Sequence, residues 1–354
     1  MKIIDRYLSV TLLITTALAL TILLALFAFL SLIDQLEDAG RGNYDVIIAV
    51  QYVLLTLPRI AYELFPIAAV IGSMTTLGLL SHNSELVIIR ASGTSLFRLA
   101  YAMGKGGLII IIITIIIGEV IAPYCEQKAQ NLRSIALTQQ IALKTKNGFW
   151  SRDGLNFINI RKILPGDRLE EIYIYEFDEN DHLRIATHAN QARYVNDKWL
   201  LENIEQSVIG PDHVSERKID LAAWNSLLNP DVINLVAVKP QYLTIRGLFE
   251  YISYLKKNGQ NSFKYEQALW AKLINPITIL AIIILAVPLV SAYSKTIPVS
   301  QRIFFGCFIG IFFNIINQVS GQMGVVYSIN SFVSASFPTI CIILLVFWLM
   351  YKKA

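Results

Sequence analysis

Long uncharged apolar runs constrain this chain more than any other feature. The first covers residues 8–33 and exceeds the roughly 20 residues that a helix needs to cross the hydrocarbon core of a bilayer. A cleaved signal peptide has an apolar stretch of only ~7–15 residues before a small-residue cleavage site, and no such site follows this run. Hydrophobic residues make up 55% of the chain and charged residues 16%. The sequence therefore predicts an integral membrane protein.

Five further apolar runs bring the number of predicted spans to six. They cover residues 46–80, 96–122, 269–292, 303–319 and 332–351. Basic residues gather at both termini and in the loops that follow spans two and four, whereas acidic residues follow span one. The positive-inside rule therefore predicts that both termini and the segment between spans two and three are cytoplasmic.

A polar block at residues 139–238 separates the first three spans from the last three. Polar and apolar residues alternate in segments 154–160, 171–177 and 198–202, and dipeptides such as Pro165-Gly166 supply turns. This pattern predicts an external β-sandwich or jelly roll. Its aromatic residues either fill a core or line a groove for acyl chains; they are Phe149, Trp150, Phe157, Tyr173, Tyr175, Phe177, Tyr194 and Trp199.

The predicted fold is thus an α-helical membrane protein with six transmembrane helices (3+3) and an inserted β-domain. We expect the first three membrane helices in residues 1–138 and the β-domain in residues 139–238. Residues 239–354 then contain the last three spans, which follow a short amphipathic helix at 247–257.

A polar segment between spans two and three, Ser81 to Arg98, has helical spacing in its middle and Gly93 as a predicted helix stop. A helix of this length between two spans, at about 82–93, lies at the membrane surface. It is either an amphipathic turn that rests on lipid head groups or a coupling helix that docks on a cytoplasmic motor subunit. The residue types alone favour the amphipathic turn.

The sequence contains no pattern typical of an enzyme or a metal site. The four histidines lack metal-ligand spacing, and neither a Ser-His-Asp arrangement nor a Walker A pattern is recognisable. The three cysteines lie in or beside predicted spans, where packing is the expected role. We expect no cofactor, no metal and no nucleic-acid partner for this chain.

A series of short motifs occurs in one order along nearly the whole chain. They are Ile4-Asp-Arg-Tyr7, Asp34-Gln-Leu36, Ala39-Gly-Arg-Gly-Asn-Tyr44, Phe65-Pro-Ile-Ala-Ala69, Ser84-Glu-Leu-Val87, Arg90-Ala-Ser-Gly93, Gly118-Glu-Val-Ile-Ala-Pro123, Glu126, Asp153-Gly-Leu-Asn-Phe157, Tyr254-Leu-Lys256 and Asn258-Gly-Gln260. With the order of spans and β-domain, these motifs resemble the LptF/LptG (YjgP/YjgQ) permease family of the lipopolysaccharide exporter. The first two motifs favour one of the family's two branches over the other.

The resemblance implies a permease subunit in the bacterial inner membrane, with its β-domain in the periplasm. It implies four kinds of partner: an LptF-like second permease subunit, an LptB-like ATPase dimer, a periplasmic β-jelly-roll bridge of the LptC/LptA type, and lipopolysaccharide. ATP and Mg²⁺ would bind the partner ATPase. The complex would extract lipopolysaccharide from the inner membrane and pass it to the bridge.

The resemblance also implies site residues. Glu85 would contact the ATPase, because a carboxylate can accept a charge-assisted hydrogen bond from an arginine. Span one of one subunit and span five of the other would form the lipid cavity. The implied coupling residues are Glu85, Leu86, Ile89, Arg90 and Gly93, and the implied cavity residues are Leu24, Phe27, Ser31, Phe65, Phe308, Phe312, Asn314 and Ile316.

The sequence departs from the family at the residues that would face the lipid A phosphates. Relatives carry lysines just after span one, whereas this sequence has Glu37 and Asp38, which would repel a phosphate. Arg41 and Arg59 are the candidate phosphate-facing residues, unless the partner subunit or bridging divalent ions supply the charge.

Two other functions are compatible with a membrane protein of this layout. A scaffold would bind another envelope protein through the β-domain without moving lipid. An ion-coupled transporter would need clustered acidic or histidine side chains in mid-span, whereas Glu63 lies beside the kink that Pro66 predicts and Glu119 near an outer end.

Overall fold

The structure, a computed structural model, describes residues 3–138, 148–164, 168–178, 180, 182–195, 198–210, 213–224, 240–292 and 299–353. The chain divides into two compact units. The helical unit contains Met1–Glu37, Val53–Glu126 and Phe263–Ala354, and the sheet unit contains Asp38–Tyr52 and Gln127–Ser262.

Among the described residues, six helices are long and apolar enough to cross a membrane, which confirms the predicted number of spans. In the third of them, Leu96–Leu137, a π-helical turn at Ile117–Ile121 joins two α-helices; the other described helical segments are a 3₁₀ turn at Pro240–Tyr242 and two shorter α-helices. In chain order the α-helices are α1 (Ile3–Leu36), α2 (Val46–His82), α3 (Glu85–Ala91), α4 (Leu96–Ile116), α5 (Ala122–Thr138), α6 (Ile245–Lys257), α7 (Phe263–Ala292), α8 (Val299–Val326) and α9 (Ser331–Lys353).

The core of the helical unit lies around α2 and α7. Its fully buried apolar side chains include Leu12 of α1, Leu77 of α2, Met103 of α4 and Ile279 of α7. Hydroxyl groups join neighbouring helices: Thr15 Oγ1 lies 2.7 Å from Thr76 Oγ1. Threonine pairs of this kind are typical contacts between membrane helices, where the lipid is as apolar as the side chains.

The six described strands form one antiparallel sheet in which each strand pairs with the next along the chain. This sheet between two sets of three spans confirms the predicted fold class. The strands are β1 (Phe149–Asp153), β2 (Asn156–Leu164), β3 (Arg168–Phe177), β4 (Leu183–Val195), β5 (Lys198–Ile209) and β6 (Val214–Trp224). The predicted turn at Pro165-Gly166 lies outside the described residues.

On three neighbouring strands of the sheet, the alternation of buried and more exposed residues is interrupted at adjacent positions. Buried neighbours are three residues apart there, at Leu169/Ile172 on β3, Ala189/Ala192 on β4 and Leu201/Ile204 on β5. The backbone adopts positive φ at two of these positions, 57° at Glu171 and 53° at Asn203. As a result, one face of the sheet stays apolar over the full length of its longest strands.

The aromatic residues of the sheet unit do not share one environment. Trp199 is fully buried, as expected of a core residue, whereas Trp150 and Phe157 are exposed. The Trp150 ring stacks on Tyr175 with 6.0 Å between centroids. The predicted helix at 247–257 is present as α6, and its Tyr254 hydroxyl lies 2.6 Å from Ser151 Oγ on β1.

Candidate functional site

The short helix α3 forms where the sequence predicts it. It begins after Ser84, whose φ of 63° marks a sharp turn out of α2, and it ends before Gly93, whose φ is 85°. The Gly93 backbone N–H donates to the Arg90 carbonyl at 3.0 Å. Gly93 is therefore the predicted helix stop, because glycine adopts positive φ without a steric penalty.

The apolar side chains of α3 divide between two directions. Leu86 is buried in the helical core, and Ile89 packs against that core. Val87 and Ile88 are exposed. Leu86 and Ile89 therefore anchor the helix, and the outward apolar surface consists of two residues that the sequence analysis did not select. Arg90 is also exposed, at the end of the helix.

Glu85 is held at the start of α3 by two side chains. The Tyr7 hydroxyl, on the first turns of α1, donates to Glu85 Oε2 at 2.9 Å. On the other carboxylate oxygen, Asn83 Nδ2 donates to Oε1 at 3.4 Å. The predicted coupling residue is thus connected to α1 as well as to the turn that precedes it.

A buried carboxylate lies close to Tyr7 in the sequence. Asp5 is 2% exposed and accepts hydrogen bonds from Arg98 Nη2 and Lys105 Nζ, each at 2.8 Å. Both cations are on α4, which begins after α3. In the sequence, Asp5 stands out only as part of the Ile4-Asp-Arg-Tyr7 motif, because a single sequence does not show which distant residues lie beside it.

The candidate cavity residues on α1 and α8 have exposed or half-buried side chains. Phe308 and Phe312 on α8 are 61% and 56% exposed, and their rings stack in parallel with centroids 6.2 Å apart. Phe27 on α1 is exposed as well. The remaining candidates on these two helices, Leu24, Ser31, Asn314 and Ile316, are half-buried, and Asn314 accepts a hydrogen bond from Gln318 Nε2 at 2.8 Å.

Phe65 differs from the other cavity candidates. It lies on α2, is 4% exposed and packs in the main core cluster of the helical unit. Its aromatic ring therefore contributes to packing inside this subunit.

An apolar pocket of 380 Å³ lies between α8 and α9. Its lining includes Ile316, Val319, Met323, Val333 and Phe337. Of the predicted cavity residues, only Ile316 belongs to this lining, since Phe308 and Phe312 lie on the preceding turns of α8.

The two candidate phosphate-facing arginines differ in how their charges are compensated. Arg59 lies in the helical unit, 3.0 Å from Glu126 Oε2 and 3.5 Å from Glu63 Oε1. Glu126 is buried, so the Arg59 guanidinium neutralises a carboxylate that water does not reach. Arg59 is therefore less available to a phosphate than the sequence suggests.

Arg41 lies in the sheet unit, and its side chain is 72% exposed. Its Nη1 is 2.6 Å from Asp38 Oδ1, and Arg133 Nη2 is 2.7 Å from Asp38 Oδ2. The hydrogen bond from Arg133, with the charges of Arg133 and Arg41, holds the pKa of the Asp38 carboxyl below its usual value. Two guanidinium groups thus offset the Asp38 charge, and Arg133 is a cation that the sequence analysis did not select.

One further ion pair lies within the spans. Lys272 of α7 is buried, and its Nζ is 2.8 Å from Glu119 Oε1 and 3.4 Å from the Gly118 carbonyl. Both partners belong to the π-helical turn Ile117–Ile121. The sequence analysis noted Glu119 but not its partner.

The described residues contain no group of three or more His, Cys, Asp or Glu side chains that could hold a metal ion. The arrangement instead consists of a short projecting helix at one end of the bundle and exposed apolar side chains on several of its helices, α1 and α8 among them. Such an arrangement suits contact with other subunits and with lipid.

Comparison with known proteins agrees with this geometry. The family model for the lipopolysaccharide export system permease LptF/LptG matches residues 6–352. The permease protein LptG of Haemophilus influenzae is 34% identical over 351 residues, which cover 99% of this chain and 98% of that protein. LptG of Escherichia coli K12 is 31% identical over 355 residues, with 99% of each chain covered.

Both relatives carry the LptG name, which confirms the branch that the first two motifs favour. With six membrane-capable helices among its described residues and LptG relatives over nearly its whole length, the chain is a multi-pass inner-membrane protein of transporter type. It belongs to the LptF/LptG family of lipopolysaccharide export system permeases.

Proposed function

We propose that this chain is the transmembrane permease subunit of an ATP-driven exporter that extracts lipopolysaccharide from the inner membrane. It works with an LptF-like second permease subunit and an LptB-like ATPase dimer, which binds ATP and Mg²⁺. The released lipid passes to a periplasmic β-jelly-roll bridge of the LptC/LptA type. Both termini and α3 face the cytoplasm, and the sheet unit faces the periplasm.

The observation that carries this proposal is the pairing of a projecting α3 with exposed faces on α1 and α8. On α3, Val87 and Ile88 offer an apolar contact and Glu85 a carboxylate, which suits a groove with an arginine in the ATPase. ATP-driven closure of the ATPase dimer then pushes α3, and α4, which starts five residues after α3 ends, carries the motion into the bundle.

The lipid-binding faces are those of spans one and five. Span one of this chain faces span five of the LptF-like subunit, and its span five faces span one of that subunit. The exposed rings of Phe27, Phe308 and Phe312 are positioned to contact acyl chains. Among the basic candidates, Arg41 has the most accessible guanidinium for a lipid A phosphate.

The energetics require a continuous apolar path. Exposing one buried CH₂ group of an acyl chain to water costs about 0.8 kcal/mol, and lipopolysaccharide carries several chains. Within the sheet unit, the exposed rings of Trp150 and Phe157 are the candidates for such a surface, since the apolar face along the longest strands is buried. ATP is then needed for the step in which the lipid leaves its membrane contacts.

Co-purification tests this proposal directly. The chain is expressed with the LptF-like and LptB-like subunits, purified in detergent, and analysed by mass spectrometry for bound proteins and lipids. We expect the ATPase dimer, the second permease and lipopolysaccharide to accompany it. Recovery of an envelope protein without ATPase or lipopolysaccharide would instead indicate a scaffold.

The Glu85→Ala variant tests the contact with the ATPase. We expect it to lower the amount of co-purified ATPase and the ATP-dependent transfer of lipopolysaccharide from proteoliposomes to the soluble bridge. Glu216→Ala is the matched control, because Glu216 is an exposed acidic residue on β6 and far from α3 in the sequence. Equal ATPase recovery and equal lipid transfer for Glu85→Ala and wild type would contradict the coupling role.

A further inference from the structure

Tyr7 connects two parts of the helical unit that have different roles in the proposed export cycle. It lies on α1, the helix that also carries Phe27, and its hydroxyl donates to Glu85 on α3 across 78 residues of sequence. The helix from Tyr7 to Phe27 is uninterrupted, which corresponds to about 30 Å along its axis. A displacement of the Tyr7 end is therefore transmitted along α1 to its lipid-facing part.

The Asp5 ion pairs fix the same end of α1 to α4. Because Asp5 is buried between Arg98 and Lys105 at 2.8 Å each, the first turn of α1 cannot move away from α4 without separating buried charges. The start of α1 is thus held on one side by α4 through Asp5 and on the other by α3 through Tyr7.

The hydrogen bond from Tyr7 leaves Glu85 able to contact a partner. An ionised carboxylate has about four acceptor positions. Tyr7 and Asn83 each donate to one of its two oxygens, so acceptor positions remain for an arginine of the ATPase. The contact therefore orients the carboxylate without blocking it.

We propose that Tyr7 is a positioning residue for Glu85 and that it links α3 directly to α1. This inference rests on the proposed function. A push on α3 then reaches the lipid-facing helix α1 through Tyr7, in addition to the route through α4. The Asp5 ion pairs keep α1 and α4 moving together.

The test is a double-mutant cycle in the full complex of both permease subunits and the ATPase dimer. Tyr7→Phe removes only the hydroxyl, and Glu85→Gln weakens the acceptor while retaining its shape. The measured quantities are the dissociation constant for the ATPase dimer, the melting temperature of the complex, and lipopolysaccharide released per ATP hydrolysed. Tyr351→Phe is the matched control, because Tyr351 is a fully exposed tyrosine near the end of α9.

For Tyr7→Phe, we expect lipid released per ATP to fall about tenfold, the low end of what loss of one hydrogen bond to a charged group predicts. In the Glu85→Gln background the same substitution should change it less than about twofold, because two residues in contact are not additive. If the hydrogen bond between Tyr7 and Glu85 has only a structural role, Tyr7→Phe would lower the melting temperature and leave lipid released per ATP unchanged.

The outcomes separate this inference from the function on which it rests. A wild-type complex without ATP-dependent lipid release would contradict the proposed function itself. A working wild type together with an unaffected Tyr7→Phe, or with losses that add in the double variant, would overturn the role of Tyr7 alone.

Discussion

The inner helices α2 and α7 differ from the edge helices α1 and α8 in what their apolar residues contact. In α2 and α7, 78% and 61% of an apolar stretch of 18 residues is buried inside the protein, against 22% in α1 and 17% in α8. All four have the composition of a membrane span, so hydrophobicity alone does not decide which helix is central. The difference indicates that the close fit between helices, and not their hydrophobicity, decides which helices lie inside the bundle.

At the contact between α1 and α2, small residues and hydroxyl groups allow the two helices to fit closely. Gly72 of α2 approaches Thr16 of α1 so closely that an added Cβ would lie 2.7 Å from the Thr16 Cα. The Thr15 hydroxyl donates to the Gly72 carbonyl at 2.9 Å. In lipid, exposure of large apolar side chains carries no penalty, so the edge helices keep theirs outward for lipid or for another subunit.

The largest expected effect is that of filling the contact between α1 and α2. Gly72→Val places side-chain atoms where the Thr16 backbone already lies, and backbone cannot move aside as a flexible side chain can. We expect a loss of about 3 kcal/mol or more of stability, measured as a lower melting temperature and yield in detergent.

Gly104→Ala is the control for that variant. An added Cβ on Gly104 of α4 meets only Leu280 Cδ1 at 3.8 Å, an ordinary contact. Alanine also favours helix over glycine by about 1 kcal/mol. A Gly72→Val protein as stable as the Gly104→Ala protein would contradict the view that close packing selects the inner helices.

The buried ion pair between α7 and the π-helical turn should have the next largest effect. Lys272→Met leaves the Glu119 carboxylate and the Gly118 carbonyl without their cation, and removal of one partner of a buried pair costs about 3 kcal/mol. The melting temperature of the purified subunit measures the change.

The double variant Lys272→Met with Glu119→Gln sharpens this prediction. It removes both charges, so we expect it to regain most of the stability that Lys272→Met loses. If both variants melt at the same reduced temperature, the loss comes from the packing of the lysine stem and not from the loss of its charge beside Glu119.

A substitution on an edge helix should lower lipid transport and leave stability nearly unchanged. Phe308→Ala on α8 removes an exposed ring, so we expect its stability to change by less than about 1 kcal/mol. Under the proposed function, ATP-dependent lipid release should fall. Phe347→Ala, an exposed phenylalanine on α9, is the control for both measurements. A marked loss of stability in Phe308→Ala alone would show that α8 is not an edge helix.

The sequence predicts the membrane helices better than the sheet, for a physical reason. A span must be apolar over its full length, so runs such as residues 8–33 are unambiguous. Strands β4 and β6 were not predicted: the buried residues Ala189 and Ala192 of β4 are small, and β6 is rich in charged residues. Neither strand shows the strong alternation of large apolar and polar residues on which the prediction depends.

For the candidate site, the sequence predicts the helix and its end but not its contacts. Gly93 and the spacing of apolar residues place α3 correctly. The ion pairs of Asp5 with Arg98 and Lys105 join positions 93 and 100 residues apart. Such contacts depend on how helices assemble, which local periodicity does not encode.

Of the two ion pairs, the one outside the packed helices should have the smaller effect on stability. Arg133 and Arg41 lower the pKa of Asp38 from 3.8. Because the pKa is lower in the folded state, ionised Asp38 stabilises the fold above the unfolded pKa, and this contribution is lost as the pH falls through the folded pKa. The pair is partly exposed, so we expect Asp38→Asn to cost only about 1 kcal/mol at neutral pH.

Melting temperatures of wild type and Asp38→Asn, compared from pH 7 down to pH 3, measure this contribution. We expect the difference between the two proteins to be constant down to about pH 5 and to shrink below about pH 4, where the wild-type carboxylate also becomes protonated. A difference as large as that of Lys272→Met would mean that a partly exposed pair stabilises as much as a buried one. Burial inside the bundle would then not be what separates the two ion pairs.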